Sequence, residues 1–181
     1  TEFQNQHPGL VLRYLTGDRL FRLEYGEAHV SVRPGAKPKD PDYVVQLLQT
    51  NQSTLYASQD YINEYGAFKS LKHTQGHKFV ASIAALNNIP MMRWLNQTVD
   101  KSQIAFRGSD FASLMEAASH GIGIVCSGCR FADTRPSLVR LLAPPKEWDN
   151  DLWLVTHRDI HHSPKVQAFT QLLKSMMDKQ D

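Results

Sequence analysis

The sequence predicts an α/β fold built on parallel strands, and three stretches carry that expectation. The strongest is SQIAFRGSDFASLMEAASHGIGIVCSGCRFAD, residues 102–133. It reads as strand, helix, strand and a sharp turn into a second helix. Ile104, Ala105 and Phe106 form a short apolar run, which Gly108, Ser109 and Asp110 break and can cap a helix. Leu114, Met115, Ala117 and Ala118 continue at helical spacing, and Gly121 stops them. Ile122, Gly123, Ile124 and Val125 form a second strand without polar alternation, as a strand covered on both faces requires. In open α/β sheets the carboxyl ends of such strands open on a cleft where small ligands bind. The second stretch is the strand at residues 28–32, with Val30 and Val32 on one face. The third is the strongly apolar run Leu152, Trp153, Leu154 and Val155.

The other elements follow in chain order. Residues 10–12 and 14–15 read as a strand. Gly17 and Asp18 turn the chain, and Asp18 can cap a short helix carrying Leu20, Phe21 and Leu23, which Gly26 ends. With the strand at 28–32 this makes a second strand–helix–strand unit, so two similar halves are expected. Pro34, Gly35 and Pro38 exclude regular structure from residues 33–38. Residues 44–48 and 55–57 are strand segments. Ser58 is a candidate cap for a helix around residues 61–65, closed by Gly66. Residues 79–81 predict another strand, and residues 91–95 fit either a helical turn or a strand end. Pro144-Pro145 marks a loop. In the last helix Ser163 caps, Pro164 occupies the first turn, and Val166, Phe169, Leu172, Leu173 and Met176 form the buried stripe.

Composition narrows the class. The chain has 181 residues, enough for one large α/β domain or two small lobes. Hydrophobic residues make up 41% and charged residues 21%, as in an ordinary globular chain. No apolar run is long enough to span a bilayer, so no membrane partner is expected. The opening TEFQNQHPG has no basic segment followed by an apolar core, so no secretory signal is read there. The formal net charge is +2 with Lys and Arg scattered, which argues against direct DNA binding by these residues. Two cysteines, Cys126 and Cys129, are too few for a disulfide framework, and the simplest compartment is the reducing cytoplasm.

The order of motifs resembles the effector-binding domain of LysR-type bacterial transcriptional regulators. DRLFRLEYGEAHVSVRPG fits that family's helix, Gly-Glu-Ala turn, strand and Arg-x-Gly loop. KDPDYVVQLLQTNQSTLYASQDYINEYG fits the arm crossing between lobes and the Tyr-Ala-Ser helix start. SLKHTQGHKFV, SDFASLMEAASHGIGI, LVRLLAPP and DLWLVTHRDIHHSPKVQAF complete the series over nearly the whole chain. The resemblance implies a two-lobed fold like that of periplasmic binding proteins (type II), each lobe a mixed sheet flanked by helices, joined by crossing strands. Residues 1–53 with 156–181 would form one lobe and residues 54–155 the other, with a small-molecule effector between them. It implies a homodimer, a tetramer in the full-length regulator, and DNA binding through an N-terminal winged helix-turn-helix outside these residues. The helix around 111–119 and the strand at 10–16 would form the dimer surface. Two departures stand out. The family's opening strand, ahead of a helix that here would contain Phe3 and precede Pro8-Gly9, has no counterpart, nor has the loop after it. A Leu-Pro turn common after Gly-Ile-Gly-Ile is replaced by Cys126-Ser127-Gly128-Cys129.

Six residues are candidate effector contacts. Ser109 follows a strand and opens a helix, where free N–H groups and the helix dipole favour an anion or polar oxygen; the plain alternative is a helix cap. Gly108 shares that strand end. The resemblance places pocket-lining residues at Ser82 and Ile83, although an isoleucine more commonly packs in a core. Arg33 and Arg107 lie near strand ends and could hold a carboxylate through a two-pronged hydrogen bond, favouring an anionic effector; the alternative for each is a solvated surface residue. Ser58 is a cap first. The Cys126-x-x-Cys129 pair reads as small core residues or, less readily, as a redox switch. His73, His77, His157, His161 and His162 match no recognised metal spacing. No cofactor is predicted, and no Gly-x-Ser-x-Gly elbow, Lys-bearing phosphate loop or His-Glu-x-x-His points to an enzyme. The rival to a regulator is a periplasmic solute-binding protein of a transport system.

Overall fold

Element by element, the computed structural model describes residues 2–17, 19–84 and 86–178. Its contacts divide the chain into two units, Thr1–Thr50 with Asp151–Asp181, and Asn51–Asn150. The middle unit is contiguous in sequence, whereas the other is assembled from both ends of the chain.

The middle unit is a five-stranded sheet. Its strands are β3 (Ser53–Ala57), β4 (Phe79–Ser82), β5 (Ile104–Gly108), β6 (Ile124–Gly128) and β7 (Val139–Arg140), in the order β5-β4-β6-β3-β7. Strand β4 runs parallel to both β5 and β6, and β3 runs antiparallel to β6 and β7. Every residue of β3 and β4 is buried, the condition that permits unbroken apolar runs. Helices α2 (Gln59–Tyr65) and α3 (Pro90–Thr98) contribute Tyr61, Met91, Met92 and Leu95 to a cluster with Leu55, Phe79, Ile124 and Trp148. Helix α4 (Phe111–Ser119) lays Leu114, Met115, Ala117 and Ala118 against Tyr56, Val80 and Val125. A short helix α5 (Cys129–Ala132) follows β6 directly.

Local chemistry sets the helix ends. Ser58 caps α2 by accepting the Tyr61 N–H at 3.2 Å, as the sequence predicts. Residues 91–95, undecided in sequence, are helical, with Pro90 at the start of α3. Gly121, at φ +77°, ends α4: its N–H bonds to the Ala118 carbonyl and that of Ile122 to the Ala117 carbonyl. This paired closure belongs to a glycine-terminated helix. It holds Ile122 in the turn, so β6 begins at Ile124 rather than at residue 122. Tyr61 pins the entry to β4, its hydroxyl accepting the Lys78 N–H at 2.8 Å.

The other unit contains α1 (Glu2–Gln6), a three-stranded sheet in the order β1-β8-β2, and helices α6 (Arg158–His161) and α7 (Pro164–Asp178). The strands are β1 (Val30–Pro34), β2 (Tyr43–Asn51) and β8 (Asn150–His157). Phe3 of α1 meets Phe169 of α7 edge-on at 6.1 Å. Several expectations fail in this unit. Residues 10–16 form no strand; they are apolar in sequence but pair with no strand among the described residues and lie largely exposed. The short helix around Leu20 and Phe21 is reduced to one 3-10 turn, Leu23–Tyr25, closed by Gly26 at φ +71°, and the Asp18 cap lies outside the described residues. With no strand among the described residues before Val30, there is no second strand–helix–strand unit. Strand β1 runs on through Arg33 and Pro34, two residues into the expected loop, because an edge strand tolerates a proline. Helix α7 begins after Ser163, but the Ser163 hydroxyl donates to the Ile160 carbonyl at 2.7 Å, and Met176 is exposed rather than buried. Among the described residues no helix is long and apolar enough to cross a membrane.

Candidate functional site

Five of the six predicted residues converge at the carboxyl ends of β4 and β5. Ser82, the last residue of β4, pairs with Gly108, the last of β5. The Ile83 N–H donates to the Gly108 carbonyl at 2.9 Å, closing the strand ends against each other. Arg107 donates from Nη1 to the Ser82 carbonyl at 3.3 Å, and Ser109 follows on the exposed side. Parallel strands end here with their carbonyls pointing the same way, the arrangement that opens ligand crevices in α/β sheets.

Each residue has a definite state. Ser82 is only 8% exposed, and its Oγ accepts the Ala84 N–H at 3.0 Å. Ile83 is 66% exposed, so core packing is ruled out as its role. A Cβ at Gly108 would meet Ser113 Oγ and sit 2.9 Å from a Leu114 methyl, so those side chains would have to shift to admit one. Ser109 is exposed and is not the cap; Asp110 caps α4, accepting the Ser113 N–H at 2.9 Å. That one-residue shift frees the Ser109 hydroxyl from helix capping. The loop after β4 holds Leu86 at φ +42°, a strained backbone for a residue with a Cβ.

Arg33 belongs to the other unit, inside β1 opposite Trp153 rather than in a loop. It is buried, donating to the Phe21 carbonyl at 2.9 Å and to Ser31 Oγ at 3.3 Å, and lies 4.9 Å over the Tyr43 ring. These partners occupy the guanidinium, so its part in holding an effector is not supported by geometry. The same unit has an open groove of about 530 Å³ lined by His7, Leu10, Ser163, Pro164 and Lys165. None of the six predicted residues lines it.

The cysteines are both free and buried. Burial pushes the Cys126 thiol up to about 12, which keeps it neutral and unreactive. The nearby Tyr56 hydroxyl donates to Asp133 Oδ1 at 2.7 Å, and Asp133 also binds Arg140, tying α5 to the sheet. Burial holds His77 below the usual imidazole value, and its Nδ1 faces the Tyr61 hydroxyl at 3.3 Å. His161 lies 2.8 Å from Thr156 Oγ1.

Sequence reasoning missed one residue near these strand ends, Ser127 of β6, fully buried on the strand that pairs with β4. The register of β6 against β4, Phe79 with Ile124 and Val80 with Val125, would have found Ser127, because two further residues set it beside Ser82.

Comparison with known proteins gives the frame for this geometry. The family model for the LysR substrate binding domain matches residues 1–178. The regulatory domain of CrgA, a LysR-type transcriptional regulator from Neisseria meningitidis, superposes with a TM-score of 0.79 at 18% identity, covering 97% of this chain and 88% of that one. The effector domain of the transcriptional regulator AmpR of Pseudomonas aeruginosa gives 0.73 at 17% identity, covering 99% and 87%. Against full-length AphB, the Vibrio cholerae virulence activator, the TM-score is 0.68 at 18% identity, and this chain spans 61% of that protein. No curated protein matches the sequence.

Proposed function

This chain belongs to the LysR substrate-binding domain family, the non-enzymatic effector-binding part of LysR-type transcriptional regulators, and from that premise we propose how it works. The effector is a small anionic molecule held between two lobes, residues 1–53 with 156–181 and residues 54–155. It contacts Ser82, Ile83, Arg107, Gly108 and Ser109. The observation that supports this reading is the convergence of those five residues at the ends of parallel strands. Arg107 supports the negative charge, since it is an exposed arginine at that edge. Arg33 no longer does.

The effector binds a closed arrangement of the lobes better than an open one and shifts that equilibrium. A tenfold preference supplies about 1.4 kcal/mol, which bounds the response. In the cytoplasm the regulator is a homodimer, tetrameric at full length, and closure alters the spacing of its N-terminal DNA-binding heads. Helix α4 and residues 10–16 form the dimer surface, the latter as an exposed segment rather than a strand. A monomer at high concentration in sedimentation would count against the dimer.

The direct test is a thermal-shift screen of metabolites on this domain. A binder raises the melting temperature with concentration, and Ser109→Ala weakens that rise. An unchanged response in Ser109→Ala would put the effector elsewhere.

A further inference from the structure

Resting on the dimer reading, we infer that a second copy of the chain docks on the phenyl pair Phe111 and Phe131, and that it does so with its exposed segment at residues 10–16. The two copies meet segment on shelf, twice, rather than shelf on shelf.

Local packing assembles the shelf. Helix α4 buries Leu114, Met115, Ala117 and Ala118 against the sheet, which leaves Phe111, Ala112 and Glu116 exposed. The short helix α5 brings Phe131 against Phe111, with ring centroids 5.1 Å apart and planes at 56°. Phe111 remains 38% and Phe131 45% exposed. Arg135 lies 5.2 Å over Phe131 and pairs with Glu116 at 2.7 Å, so an ion pair borders the rings. Touching aromatic side chains bordered by a charged rim are the anatomy of an interface hot spot. Covering the rings removes apolar surface from water and disturbs no bond that the monomer makes.

Charge selects the occupant. Residues 10–16, LVLRYLT, present Val11 and Tyr14 almost wholly to solvent and carry one cation, Arg13, with no acid. Helix α4 with its cap, DFASLMEAAS, carries Asp110 and Glu116 with no base. Glu116 is held by Arg135, whereas Asp110 is exposed and uses one oxygen to cap the helix. Shelf on shelf would set the acids of one copy against the same acids of the other, and segment on segment would set Arg13 against Arg13. Segment on shelf brings opposite charges together beside the aromatic contact, because Arg13 precedes Tyr14 as Asp110 precedes Phe111. Since every chain carries both patches, a two-fold dimer makes this contact twice and closes on itself.

Sedimentation equilibrium of single and mixed variants tests this pairing. Phe111→Ala and Tyr14→Ala should each weaken the dimer about a hundredfold, about tenfold at each of its two contacts. Mixed in equal amounts, the two variants can share a heterodimer in which one segment and the shelf it meets are both native. That heterodimer should form about tenfold more tightly than either variant alone, a rescue that a folding defect could not give. Arg13→Glu should weaken the dimer about threefold, and the difference should shrink as salt is raised. If the chain dimerises and Phe111→Ala leaves it as tight, the shelf is not the contact and the inference falls while the dimer stands. If Tyr14→Ala has no effect, or the mixture shows no rescue, the segment is not the occupant and the pairing is overturned. A native chain that stays monomeric at every concentration brings down the dimer reading together with the inference.

Discussion

The middle unit and the unit built from the chain ends treat apolar side chains differently. In the middle unit Leu55, Phe79, Met115 and Ile124 are fully buried, in clusters on the two faces of one sheet. In the other, Val11 is 92% and Tyr14 88% exposed, and Leu20, Tyr25 and Leu47 also face solvent. Its buried apolar residues among those described are few: Phe3, Leu23, Leu154, Val155 and Val166. The difference teaches that apolar content does not make a core. Two covered sheet faces do.

The sharpest way to break this comparison is a pair of truncations. Phe79→Ala removes a ring packed edge-on against Phe68 and Trp94 and should cost about 3–5 kcal/mol in urea denaturation. Leu20→Ala should stay within about 0.5 kcal/mol; equal losses would abolish the distinction. A second pair uses glycines. Gly123→Ala drives a Cβ to 2.9 Å from the Lys78 carbonyl, backbone that cannot rotate away, and should cost about 1–3 kcal/mol. Gly9→Ala meets nothing within 4 Å and should leave the melting temperature unchanged. Helix starts give a smaller contrast. Ser58→Ala loses a cap bond and about 1 kcal/mol, whereas Ser163→Ala, whose hydroxyl points back to Ile160, should lose less by the same denaturation assay. The smallest effect is the pH response of His77. Burial lowers its folded value below 6.5. As pH falls through 6.5 the unfolded chain takes up the proton first, so stability declines toward acid and levels off below the folded value. An NMR titration of His77 with a midpoint above 6.5 would reverse that sign.

The middle unit was legible in sequence because its signals are local. Ser58, Gly66, Asp110 and Gly121 stand at helix ends, and the apolar runs between them are too short for helices and too uniform for exposed strands. The chain-end unit was harder because strands need partners that local sequence does not name. Residues 10–15 look like a strand, yet nothing described pairs with them. Arg33 was read into a loop because Pro34 and Gly35 follow it, but an edge position lets β1 continue. At the candidate site, Ser82, Gly108 and Ser109 were visible as strand ends. Asp110 and Ser109 are both good caps, and which one bonds Ser113 depends on a backbone angle rather than on residue type. Ser127 stayed hidden because its place beside β4 arises from register between strands distant in the chain.

The division at Thr50 and Asp151 also bears on synthesis. A ribosome delivers the whole middle unit before it has made β8 or α7. That unit can therefore gather its sheet and both clusters while residues 1–50 wait for their partners. The sheet β1-β8-β2 cannot close until its central strand, β8, has been made. On the ribosome, β1 and β2 thus stay apart until a strand more than a hundred residues downstream of β1 arrives to join them.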